Sequence, residues 1–228
     1  MNAKENRNLS NSFTLGSKSK APVFFIEKAM GWKVYLDKIL ADDKLIEQLE
    51  SIDYQKQEID KHHNILKDLI TSLETYHVLV ERKKEISRAK NEAINKLNRD
   101  YAYHKNLVVN LFNLPRKVID QTKGPTIQLE NNWIKEVKNF YAQLAENESA
   151  IHKLKVLNIE AHNLKAQLDA LNEIENIVKD LGGINAELNL ITEENATKKA
   201  AFNNWLKTFK EATKTAFAGN LELMERLS

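Results

Sequence analysis

Cysteine is absent from this 228-residue chain, which excludes disulfides, thiolate catalysis and cysteine-ligated zinc. Proline and glycine are scarce, at three and six residues. That is too few for the turns of a sheet protein or the glycine-rich loops of dinucleotide-binding folds. No Gly-x-x-x-x-Gly-Lys phosphate loop and no Gly-x-Ser-x-Gly nucleophile elbow occurs. Long apolar runs are missing as well. The densest near the N-terminus, Val23-Phe24-Phe25-Ile26, falls far short of the roughly 20 apolar residues of a spanning helix. The opening residues Met1 to Arg7 are not followed by an apolar core of signal-peptide length, so a cytoplasmic location is expected. The Asn-x-Ser/Thr triplets at Asn8, Asn147 and Asn195 are then chance occurrences. Charge of one sign is not in excess either. The 34 basic and 32 acidic residues leave a net +2, against a dedicated nucleic-acid binder.

What remains is a helical composition, 42% apolar and 29% charged, in a chain long enough to bury a real core without a metal or a disulfide. The expected class is all-α, an elongated antiparallel helical bundle or coiled coil of three to four helices. Residues 1–21, rich in Asn, Ser and Lys, read as a flexible tail, and 22–228 as a single elongated helical domain. Helices are expected at about 22–40, 44–113, 127–181 and 184–217, with a short C-terminal tail at 218–228. Asp42 or Asp43 is placed to cap the second.

The second of these carries the strongest signal. From Lys44 to Asn113 there is no Gly or Pro, and every seventh residue reads Leu45, Ile52, Ile59, Leu66, Leu73, Val80, Ser87, Ile94, Tyr101, Val108. Only Ser87 breaks the apolar column. Leu49 starts a second seam that runs on through Ile70. Such a stripe is the coiled-coil signature, on a helix of roughly 105 Å that must pack along another long helix. Lys56, His63, His77, Lys84, Asn91 and Asn98 occupy the other heptad column, where polar groups set register at a cost in stability. Leu114-Pro115 ends the helix, and a connector to Pro125 is expected to fold the chain back antiparallel. Gly182-Gly183 is expected to end the next helix, with Gly182 as a left-handed cap at a turn.

Candidate sites are few. The histidines form no His-Glu-x-x-His pattern, and di-iron carboxylate bundles need Glu-x-x-His on two inward-facing helices, a requirement the chain does not meet. No catalytic, cofactor or metal residue is assigned. Arg82, Lys83, Lys84, Arg88 and Lys90 form the densest basic stretch and read as a solvated face interleaved with Glu81 and Glu85. The segment 198–217 sets Phe202, Trp205 and Phe209 on one face, with Lys207, Lys210 and Lys214 on its flank. That face suits either the core of a bundle or a membrane or partner surface, where lysine stems snorkel to lipid phosphates.

These features predict a non-enzymatic coiled-coil scaffold or spacer built into a larger assembly. Its expected partner is a protein or a second copy of itself, not a nucleic acid. In length, in its long helices and in the aromatic and lysine-edged helix, the chain resembles in architecture the banana-shaped dimers of the BAR domain. That resemblance implies an alternative, a membrane-binding or membrane-shaping bundle attracted to anionic lipid.

Overall fold

The computed structural model describes residues 22–112 and 130–227. Every regular element among them is an α-helix, and the protein is all-α. The helices are α1 (Pro22–Ala41), α2 (Asp43–Glu50), α3 (Lys56–Leu111), α4 (Glu130–Glu146), α5 (Glu148–Lys155), α6 (Ala161–Phe217) and α7 (Leu221–Leu227). None is long and apolar enough to cross a membrane. The expected tail at 1–21 and the Pro115–Pro125 connector lie outside the described residues.

The expected 70-residue helix is two helices, and the longest elements are α6 with 57 residues and α3 with 56. The break needs neither Gly nor Pro. Asp53 adopts φ 64°, the Tyr54 N–H donates to the Leu49 carbonyl and the Asp53 N–H to the Glu50 carbonyl. This is a Schellman ending, in which a left-handed residue lets the chain satisfy the last carbonyls of a helix. α5 ends in the same way. Asn158 takes φ 58°, with Ile159 N–H donating to Leu154 and Asn158 N–H to Lys155. The helix expected at 127–181 is therefore α4, α5 and the first part of α6. Side-chain caps mark the starts. Asp42 accepts from Lys44 N–H at α2, Asn147 from Ala150 N–H at α5, and Asn163 from Glu160 N–H at α6.

The expected turn at Gly182-Gly183 does not occur. α6 runs through both residues, and neither has a positive φ. The reason lies in their neighbours: Leu181 and Ile184 are both buried. Burying two such side chains contributes about 1.5–3 kcal/mol each, more than the ~1 kcal/mol each glycine costs a helix. The seam spacing shifts here instead. Leu171, Ile174, Val178 and Leu181 alternate by three and four, and the next step, to Ile184, is three again. A three-residue slip of this kind overwinds a coiled coil locally, and the two glycines sit inside it.

The chain forms two compact units, both drawing on α3 and α6. One joins the described residues up to Val78 with those from Asn189 onward; the other is Leu79–Leu188. The first has a core of Leu36 and Ile39 from α1, Leu45 and Leu49 from α2, Ile59 and Leu66 from α3, and Phe202 and Phe209 from α6. The chain entering α3 runs antiparallel to α6 in it, since Tyr54, just before α3, meets Thr208 while His62 of α3 stacks on Trp205. α7 is held to the start of α2 by Arg226, which reaches Asp42 at 2.7 Å and Glu222 at 3.0 Å.

The second unit has Ile94, Leu97 and Tyr101 of α3 against Val137 and Tyr141 of α4 and Leu164, Leu171 and Ile174 of α6. Here α4 runs parallel to α3. The pairs Lys90–Glu130, Asn98–Trp133, Tyr101–Glu136 and His104–Tyr141 rise together in residue number. The antiparallel return expected after α3 is thus replaced by a parallel neighbour.

Candidate interaction surfaces

The heptad column is packed within the chain. Leu45, Leu49, Ile59 and Leu66 are buried in the first unit, and Ile94 and Tyr101 in the second; Ile52, Leu73, Val80 and Val108 are half-buried. The polar column divides. Lys56, His77, Lys84 and Asn91 are exposed, whereas His63 and Asn98 are buried and partnered by contacts across the packing.

The second unit gathers the densest polar chemistry. Tyr101 Oη donates to Glu136 Oε1 at 2.7 Å, and Lys105 Nζ donates to both that carboxylate and Tyr101 Oη, each at 2.7 Å. Trp133 Nε1 donates to Asn98 Oδ1 at 3.0 Å. His104 Nδ1 and Tyr141 Oη share a 3.0 Å hydrogen bond. Lys90 Nζ spans both oxygens of Glu130 at 3.1 and 2.8 Å, with both side chains nearly buried.

Burial favours the neutral forms of Tyr101, Tyr141 and His104. Burial, then the bond to Glu136, pushes the Tyr101 hydroxyl far above its ordinary range, and burial, then Asp100, does the same to Tyr141. Burial holds His104 below the usual imidazole value despite Asp100, so it is neutral. The Tyr101 phenol is held between Glu136 and Lys105, and the His104 imidazole against Tyr141. The Tyr101–Glu136, Asn98–Trp133, His104–Tyr141 and Lys90–Glu130 contacts each join one position of α3 to one of α4.

In the first unit, His63 Nε2 lies 2.8 Å from Asp37 Oδ1, a contact close enough for an ion pair but off hydrogen-bond alignment. Burial lowers the His63 pKa although Asp37 opposes the shift, and Lys33 and His63 lower that of Asp37.

The aromatic face of the last long helix is in the core. Phe202, Trp205 and Phe209 are buried, with the Trp205 and Phe209 rings stacked at 4.4 Å. Lys207 and Lys214 are exposed, and Lys214 pairs with Glu211 at 3.0 Å. Lys210 is half-buried 5.1 Å above the Trp32 ring, and burial lowers its pKa. Only the lysine edge of the expected membrane face is on the surface.

No group of three side chains among the described residues is arranged to hold a metal ion. The single Glu-x-x-His, Glu74 to His77, has both end residues in solvent. The basic stretch is likewise a mostly solvated surface, with Arg82, Lys84 and Arg88 exposed and Lys84 held by Glu81.

Two surface features stand apart from the heptad columns. Val156 and Leu157 stand out from the turn between α5 and α6, 82% and 41% exposed. Met30 and Val34, one turn apart on α1, are 43% and 52% exposed. The signal for the first pair was local: two apolar residues directly before an Asn that can take the left-handed conformation. The chain matches no family model, no curated protein and no solved structure.

Proposed function

We propose that this chain is a non-enzymatic structural or protein-interaction protein, a helical scaffold built into a larger assembly. The observation that carries the reading is the use made of buried polar side chains. Asn98, His104, Lys90 and Glu130 each pair with a partner on a neighbouring helix instead of converging on a cleft. Polar contacts inside a helical seam specify alignment at a cost in stability, which suits a protein whose product is a defined surface. A cytoplasmic setting belongs to the same proposal.

The membrane-shaping alternative draws no support from Phe202, Trp205 and Phe209, whose burial leaves them unavailable to lipid. Light scattering on the purified chain, with and without anionic vesicles, tests the reading. Association with itself or with a partner and no vesicle binding are expected. Vesicle binding that falls steeply with salt would overturn it.

A further inference from the structure

The exposed large apolar side chains among the described residues occur as neighbours in two places only, the α5–α6 turn and the outer face of α1. The two places differ in shape. The turn is a projection: Asn158 fixes the backbone in the left-handed region, Leu154 and Ile159 anchor it from below as buried residues, and Val156 and Leu157 point into solvent. The face of α1 is a flat helical surface with a side chain missing at Gly31. Glu27, Met30, Gly31 and Val34 are all exposed and stand at i, i+3, i+4 and i+7, the four corners of the hole that receives a knob in helix packing. Gly31 lacks the side chain that would fill that hole, and an added Cβ there would meet nothing within 4 Å. Charge matches the shapes. Lys155 precedes the apolar tip, and Glu27 forms one corner of the hole; both are exposed.

We infer that the Val156-Leu157 tip of one copy docks into the Glu27–Met30–Gly31–Val34 hole of a second copy, with Lys155 beside Glu27. This rests on the scaffold reading and names its partner. A tip and a hole are different surfaces and each copy carries both, so the pairing either closes reciprocally between two copies or continues from copy to copy.

Three full-length variants test it by light scattering over a range of concentrations. Val156→Asp removes the tip. Val34→Asp removes the hole. Gly31→Leu fills the hole while raising helix propensity, so lost folding cannot explain its effect. The wild type is expected to self-associate as concentration rises. Each variant alone is expected to stay monomeric, with association weakened by more than about tenfold, as for loss of a central packed side chain. An equimolar mixture of Val156→Asp and Val34→Asp retains one good tip and one good hole, and should form dimers and stop there.

A mixture that stays monomeric, or variants that assemble like the wild type, would overturn the inference. Loss on Val34→Asp with none on Val156→Asp would assign the α1 face to another occupant, the chain's own first residues or a different protein, and equally overturn it. A wild type that is monomeric and ignores vesicles removes this pairing but leaves the scaffold reading. Vesicle binding removes both.

Discussion

Asp53 and Asn158 hold φ values of 64° and 58°, a conformation that costs most non-glycine residues about 1 kcal/mol or more. Each ends a helix where the sequence offers no glycine, and each is a residue whose short polar side chain tolerates the strain. Replacing either with glycine should raise stability by up to about 1 kcal/mol, read as a higher urea midpoint at unchanged m-value. A lower midpoint would mean that the carboxylate or amide makes a contact worth more than the relieved strain.

His63 and His104 act on stability through pH. Both have folded pKa values below the ordinary 6.5, because burial disfavours their charged forms. The unfolded chain therefore binds protons more readily around that value. Their contribution is complete above about pH 6.5 and declines as pH falls below it. Denaturation followed from pH 8 to pH 5 should show that decline. His104→Gln, which removes one titrating group, should make the slope shallower, and an unchanged slope would refute the assignment.

At the scale of the element, α6 bridges a pair of glycines that by themselves favour a break. Gly182 and Gly183 have helical φ, are exposed, and an added Cβ at either meets nothing. Alanine at each position should stabilise the protein by up to about 1 kcal/mol, visible as a rise in Tm. Gly219 gives the contrasting case. Its φ of 80° is one that alanine adopts only under strain, so Gly219→Ala should lower Tm.

At the scale of the whole molecule, the apolar column that begins on α2 and continues along α3 is divided between two cores. Leu45, Leu49, Ile59 and Leu66 belong to one core, Ile94 and Tyr101 to another. Within the first, Phe209 is fully buried and lies against Trp205 and Tyr54. Phe209→Ala should cost about 3–5 kcal/mol, measured by chemical denaturation. A loss under 1 kcal/mol would show that the last turns of α6 are not held by that core.

Much of this was legible in the residues alone. Low glycine and proline with sustained heptad spacing decides for helices, and the column from Leu45 to Val108 marks which residues turn inward, because periodicity is a local property of the chain. The N-terminal cap at Asp42 and the end of α6 near Gly219 are readable for the same reason, since capping is chemistry between near neighbours. His63 and Asn98 stand out in the sequence as polar residues in a packing column, but nothing local points to their partners Asp37 and Trp133, 26 and 35 positions away. Only the tertiary structure decided that α4 lies parallel to α3, that Phe202, Trp205 and Phe209 enter a core, and that Gly182-Gly183 stays helical. Each outcome depends on burial by segments distant in sequence, and that burial contributes more free energy than the local preferences it overrides.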